Sequence, residues 1–451
     1  MVRKVLVGFL FVLIVVAGGA AFTRGTARAQ DLTPEERAAL QAQLDELQKE
    51  IAEQQQIIAD TQNKKKSLQG DVTLLNAQIK AAQAKIDAKN ILIRQLSAQI
   101  AQKNVVIRQL SDRIDRGHEA LASLLRQEAQ LDSTSVVVVA LSGKNLSSFF
   151  ADLDAFVSIK SDLQALFNDI RHAKDQTEKE KADLAAAQDK TLDAKYEIEG
   201  QKQQITTNKT QKQQLLAITV NQEAQYQKVL AERQARAAAI RAALFPLRDA
   251  APIQFEDALN FAKEAQAKTG VRPAFILAIL TQESNLGKNV GQCYLTDPST
   301  GAGTTKSGAT SFPNVMAPSR DVPPFVDLGR RLGYDPLRQV VSCPIPSAGG
   351  WGGAMGPAQF IPSTWSLYES RTASVTGHSV PNPWSAEDAI AAMSLYLSDL
   401  GAGAGGYTAE FRAAAKYYAG ASWNTRAGRG YGNSVMALAA SIQSNIDFLA
   451  S

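Results

Sequence analysis

The chain is poor in everything a metal centre needs. Its 451 residues hold two cysteines and three histidines. His118, His172 and His378 are too scattered to form a ligand pair at the spacing zinc sites use, so neither a metal nor a cofactor is expected. Proline is missing between Pro34 and Pro246, which removes the commonest helix breaker from nearly half the chain. Aromatics are sparse at 7% and unevenly placed: all four tryptophans (Trp351, Trp365, Trp384, Trp423) and eight of the ten tyrosines follow Pro246. An excess of one charge is missing as well. Arg3, Lys4, Arg24 and Arg28 account for the formal net charge of +4, and the rest of the chain balances. Nucleic acid is therefore not an expected partner.

One long apolar run opens the chain, from Val5 to about Phe22, behind Arg3 and Lys4 and ahead of Ala27-Arg28-Ala29. A basic start, an apolar stretch and a small-x-small site mark an export signal, although the stretch also approaches the length of a membrane span. Residues 1–29 are expected to be a signal peptide or an anchor. Membrane contact is confined to them, and the body lies outside the cytoplasm, in the periplasm or on the wall side. Thiols oxidise there, so a disulfide between Cys293 and Cys343 is expected. It would close a loop rich in Gly, Ser, Thr and Pro (296–324) and add roughly 4 kcal/mol on the chain-entropy model.

Residues 31–245 turn to Ala, Gln, Lys, Asp, Leu and Ile, the composition of a coiled coil. Apolar positions alternate four and three apart through Leu68, Val72, Leu75, Ile79, Ala82, Ile86, Ile93, Leu96, Ile100, Ile107, Leu110 and Ile114. Lys89 and Lys103 fall on the same seam and weaken it. A 3.5-residue period over this length predicts a left-handed supercoil against another helix. The near-repeat LIRQLSAQI at Leu92 and VIRQLSDRI at Val106 is offset by two heptads and reads as seam duplication. The pattern breaks between Asp132 and Asn145, the natural tip of a hairpin, so that 35–130 and 149–244 would form two antiparallel arms of up to roughly 140 Å. Beside the tip, Phe149, Phe150, Leu153, Phe156, Leu163, Leu166 and Phe167 form either a small core where the chain reverses or a surface for a partner. The tip subdomain is placed near 132–170.

With an export signal and two such arms, the stretch SVVVVALSGKNLSSFFADLDAFVSIKSDLQAL resembles the N-terminal region of murein hydrolase activators. That resemblance implies docking onto an FtsE/FtsX-type membrane complex associated with cell division.

Residues 250–451 carry a globular composition. Helical patterns fall at Glu256 to Lys268, Pro273 to Ser284, Pro362 to Ser370, Ser385 to Leu400 and Ala409 to Tyr418, with Pro273 in a favoured first-turn position. Ser385 and Asp388 have capping-box spacing, and Ile390, Met393, Leu397 and Leu400 give a buried stripe. No run of strands stands out, so the fold class expected for the whole chain is mainly α, a long antiparallel coiled-coil hairpin followed by a mostly helical globular domain.

The chemistry is concentrated in two segments. Glu283 closes the apolar helix VRPAFILAILTQES, where the negative end of the helix dipole and apolar neighbours would favour the protonated acid. GGAMGPAQFIPSTW begins at Gly352. The small residues Gly353, Ala354 and Gly356 would let backbone approach a sugar, and Gln359 offers both a donor and an acceptor. An acid poised to donate a proton beside such a loop suits glycan cleavage. Trp351, Trp365, Trp384 and Tyr368 are read first as core and second as sugar-stacking rings, with Trp351 the best candidate for exposure.

In order, TQESNLG, GGAMGPAQFIPSTW, NPWSAEDAIAAMSLYL and AAAKYYAG resemble the motifs of lysozyme-like lytic transglycosylases of the membrane-bound B type. The resemblance implies a lysozyme-like domain that acts on peptidoglycan glycan strands. Glu283 would be the catalytic acid and base, Ser284 would support its helix end, and Gly353, Ala354, Met355, Gln359, Phe360, Tyr417 and Tyr418 would bind substrate. Tyr417 would be the tyrosine that bonds the catalytic carboxyl group or the substrate. The sequence departs from the pattern in three places. Gly350 or Gly352 stands where relatives often carry a serine, Tyr418 replaces an asparagine, and the insertion between Lys288 and Gly349 is long. It holds both cysteines and would wall the groove or cover it. Asp297, Asp321, Asp327 and Asp335 within it are candidates for the second carboxylate that a hydrolytic muramidase would need. A non-catalytic wall-binding regulator is the reading from another class.

Overall fold

The computed structural model describes residues 33–62, 68–132, 146–218, 223–245, 251–285, 292–345 and 350–450. The export segment and the hairpin tip at 133–145 lie outside them. Among the described residues no helix is long and apolar enough to cross a membrane. The fold is mainly α, as the sequence predicts.

Among the described residues, four helices make the N-terminal half: α1 (Pro34–Gln62), α2 (Leu68–Asp132), α3 (Leu146–Leu216) and α4 (Glu223–Ala242). Helices α2 and α3 pair antiparallel along the predicted seam. Val72, Leu75, Ala82, Ile86, Leu96 and Leu110 are buried, with Ile198 and Ile205 opposite Ala82 and Ile86. The two lysines that interrupt the seam reach across it. Lys89 meets Glu197 at 2.6 Å, and Lys103 meets Glu180 at 2.9 Å and Asp183 at 3.0 Å. Charged pairs of this kind fix register more than they add stability.

The continuous arms are shorter than the sequence suggests. Helices α2 and α3 run 65 and 71 residues, about 100 Å each. The short helices lie alongside rather than prolong them: Gln43, Glu46 and Leu47 of α1 face Asp87, Asn90, Ile91 and Arg94 of α2. At the base of the pair, where α2 begins and α3 ends, Tyr226 of α4 is buried with Val72, Leu75 and Leu215 and donates to Asp71 at 3.1 Å. Doubling back gives the base half of the hairpin cover that two bare arms would lack. Of the residues beside the tip, Leu163 is buried and Phe167 exposed. The side chains of Phe149, Phe150, Leu153 and Phe156 lie outside the described residues.

The C-terminal half is built around one helix. After α5 (Phe255–Thr269), which Gly270 ends in a left-handed cap, α6 spans Pro273–Asn285. Every residue from Ala274 to Leu280 is fully buried, as expected of a helix that is apolar on all sides. Around it pack α7 (Val322–Leu332), α8 (Pro362–Thr376), α9 (Ala386–Asp399), α10 (Tyr407–Ala419) and α11 (Arg426–Ala450). Two short strands, β1 (Leu244–Phe245) and β2 (Ile253–Gln254), pair at the entry to the domain.

Two expectations give way here. Strands do occur in the insertion: β3 (Cys293–Asp297), β4 (Ala302–Thr305) and β5 (Ser311–Phe312) form an antiparallel sheet in the order β3-β4-β5. They are too short to show a period, and their Gly and Thr content reads as loop. The capping box at α9 does not form either. Ser385 is the cap residue without a side-chain bond, because Asp388 accepts from the Asn382 amide at 2.9 Å and bonds the His378 ring at 2.8 Å.

Candidate active site

Glu283 sits in the last turn of α6, where the buried helix reaches the surface; Thr281, Gln282 and Glu283 are half-buried. Its Oε1 accepts a 2.7 Å hydrogen bond from the phenol of Tyr431. Burial first, and the neighbouring Glu283 charge second, push the Tyr431 hydroxyl far above its ordinary range, so it remains a donor at any working pH. Tyr431 is on α11. Below Glu283, Ser434 of the same helix donates to Gln282 Oε1 at 3.0 Å.

The glycine segment reaches the same place through Tyr417. That phenol donates to the Ala358 carbonyl at 3.3 Å, and its ring stacks on Tyr431 with centroids 6.3 Å apart. Tyr418 stacks on Tyr431 more closely, at 4.9 Å and 13°, and is 54% exposed. Three of the motifs picked out in the sequence, those at Glu283, Ala358 and Tyr417-Tyr418, are therefore joined by Tyr431, which sequence reasoning missed. Tyr431 shares a buried stripe with Val435, Met436 and Ala439, and the spacing reads it as core; its polar tip was the only available signal.

The loop itself is held by the protein. Gly356 has φ +54, and a Cβ there would stand 1.9 Å from the Pro383 carbonyl oxygen. This glycine serves backbone packing against the segment before α9, where a sugar had been expected to make the close approach. Gly353 is buried at φ +91. Gln359 is the one non-glycine residue with positive φ among the described residues, a costly conformation that tends to collect at functional sites. Its side-chain amide donates to the Gly356 carbonyl at 2.7 Å. Gln359 and Ala354 are half-buried and face the surface in part. Met355 and Phe360, expected among the substrate-binding residues, are instead buried at 0% and 3% exposure. Phe360 stacks on Tyr368 at 5.6 Å and lies 5.7 Å from Tyr396, so both side chains support the loop from beneath. The side chain of Ser284 lies outside the described residues.

The insertion is stitched to this loop. The Cys293–Cys343 disulfide is formed, and backbone bridges run Cys293 to Val341, Val341 to Met355 and Met355 to Phe360. It forms a wall continuous with the glycine segment. Trp351 is 44% exposed, whereas Trp365, Trp384 and Tyr368 pack inward. Each candidate second carboxylate already has partners. Asp297 accepts from Ser299 and Thr300, which hold it down at about 2. Asp321 is buried, capping the Ser363 amide and pairing with Arg320. Asp327 pairs with Arg331, and Asp335 accepts from the Leu337 amide.

Among the described residues no group of three or more His, Cys, Asp or Glu side chains is arranged to hold a metal ion. No protein-family model, curated protein or solved structure matches this chain.

Proposed function

We propose that the chain is an exported lytic transglycosylase that cleaves the β-1,4 bond between MurNAc and GlcNAc in peptidoglycan. The observation that carries the reading is the Glu283–Tyr431 pair, set at a helix end beside the glycine segment and under the exposed ring of Tyr418. Glu283 donates its proton to the glycosidic oxygen as the bond to MurNAc C1 breaks. The substrate's own N-acetyl group stabilises the positive charge at C1. Glu283, now a carboxylate, takes the proton of the MurNAc C6 hydroxyl, and that oxygen bonds to C1 to give the 1,6-anhydro sugar. Tyr431 is placed to bond the carboxylate of the second half of the cycle, a charge-assisted contact that strengthens as the negative charge forms. This route needs one carboxyl group, an exception to the two-acid rule.

A muramidase that hydrolyses the same bond is the second reading. It needs a carboxylate free to activate water, and the engagement of Asp297, Asp321, Asp327 and Asp335 disfavours it. A regulator without activity would have no use for a supported acid at Glu283. We further propose that the coiled coil tethers or regulates the enzyme, with an FtsE/FtsX-type complex as its partner. That proposal rests on the sequence resemblance alone. Digestion of isolated peptidoglycan tests the enzyme reading. Soluble glycan fragments released by the wild type but not by Glu283→Gln support it, and no release by a folded wild type overturns it.

A further inference from the structure

The middle of α3 rests on the globular domain. Asp189, Asp193 and Tyr196 lie at i, i+4 and i+7, on one face of the helix. Both carboxylate oxygens of Asp189 accept from Arg412 at 2.7 Å. Asp193 accepts from the Thr408 amide at 2.7 Å, taking one of the unpaired first-turn donors of α10 and placing a negative charge at its positive end. The contact is close: a Cβ on Gly406 would stand 2.8 Å from Asp193 Oδ2. Tyr196 lies against Tyr407 with ring centroids 4.7 Å apart.

The Tyr196 hydroxyl also lies near the guanidinium of Arg272, the residue just before α6. Arg272 grips the buried Glu410 of α10 at 2.9 and 2.6 Å and Gln443 of α11 at 3.1 Å. The coiled coil therefore holds the beginning of α10 directly and that of α6 through the Arg272–Glu410 pair. Toward the far ends of these 13-residue helices lie Glu283 and the Tyr417-Tyr418 pair, about 15 Å along. Helix α11, held through Gln443, carries Tyr431. The chain already joins the two halves through α4 and β1, so this patch is not needed as a tether. What it adds is control of where two helices begin.

We propose that Asp189, Asp193 and Tyr196 are positioning residues for Glu283, so that the coiled coil completes the cleavage site by setting α6 and α10 at the spacing in which Tyr431 and Tyr417 support it. The inference rests on the reading of Glu283 given above. The patch is polar and partly exposed, with the Arg412 and Asp189 side chains at 41% and 26%, the character of an interface that opens and closes rather than of a core. Opening it loosens α6 and α10 at their starts, and a small displacement at a reacting group is expensive in rate.

The test compares the full-length protein with Asp189→Arg, Arg412→Asp and the double swap. Two readouts are taken: kcat and KM on peptidoglycan, and hydrogen exchange at the Thr408 amide and along the last turn of α6. Each single variant is expected to speed exchange at both places and to lower kcat roughly tenfold or more at little change in KM. The double swap is expected to restore both. Asp193→Asn, which keeps a capping oxygen, is expected to stay near wild type, and Asp193→Ala to behave like the single charge variants. Single variants that speed Thr408 exchange yet keep wild-type kcat would overturn the proposal. So would exchange that none of them changes. If the wild type cleaves nothing, the reading of the site has failed instead, and the coupling is judged by whether exchange at the last turn of α6 follows the patch.

Discussion

The Tyr431 hydroxyl and Glu283 Oε1 lie 2.7 Å apart across 148 residues of sequence. One group is buried in the stripe of α11, and the other is the one ionisable residue of α6, just past its fully buried stretch from Ala274 to Leu280. The bond gives the acid an orientation, which a carboxyl group at a frayed helix end would lack. Replacing Tyr431 by Phe keeps the ring and the stack with Tyr418 while removing the donor. A hydrogen bond to a charged group is worth about 1.5–3 kcal/mol, so kcat for peptidoglycan cleavage is expected to fall roughly ten- to hundred-fold with the fold retained. Steady-state kinetics beside a circular dichroism melt check this; unchanged kcat would remove Tyr431 from the site.

Gly356→Ala sets a methyl against the Pro383 carbonyl at a backbone angle that favours glycine. Overpacking and the left-handed conformation together are expected to cost about 2–4 kcal/mol. Gly377 is a control with φ +78 and open space around it, so Gly377→Ala is expected to cost only about 1–2 kcal/mol. Urea unfolding of the two variants should separate them; equal losses would mean that the close approach contributes nothing.

The disulfide spans 50 residues and fastens β3 to the strand-like segment that bridges to Met355. Removing it by Cys293→Ser with Cys343→Ser is expected to cost about 4 kcal/mol on the loop-entropy model. Activity is expected to fall as well, because the insertion holds the glycine segment in place. A melt with and without reductant, followed by an activity assay, measures both.

Acidity should matter at His378. Its hydrogen bond to the buried Asp388, with the charge of Asp388 and of Glu387 nearby, raises its pKa above the ordinary 6.5. A raised folded value means that the pair contributes its full stability below about pH 6.5 and loses it as pH climbs through the folded pKa. The difference in Tm between wild type and His378→Ala is therefore expected to be larger at pH 5.5 than at pH 8.5. The reverse order would contradict the assignment.

The seam from Leu68 to Ile114 was legible because a coiled coil repeats one local rule; Lys89 and Lys103, read only as flaws in it, find carboxylates across the hairpin. Helix α6 was legible from Pro273 and an unbroken apolar run, and the position of Glu283 followed. What escaped depends on packing between distant segments. Tyr431 looks like core until α6 and α11 are brought together. Phe360 looks like part of a binding loop until Tyr368 and Tyr396 close over it. Asp388 has the spacing of a cap but finds His378 and the Asn382 amide, partners that no helical period encodes. The shortened arms escaped because composition stays helical through α1 and α4, whether they prolong α2 and α3 or lie beside them.

The most direct test of the central claim is the mass of the sugar left at the cleaved end. Muropeptides released from purified peptidoglycan by the wild-type protein are expected to be about 18 Da lighter than hydrolysed ones, as the 1,6-anhydro product requires, and to be missing with Glu283→Gln. Fully hydrated products from the wild type, or anhydro products that persist in the variant, would contradict a transglycosylase acting through Glu283.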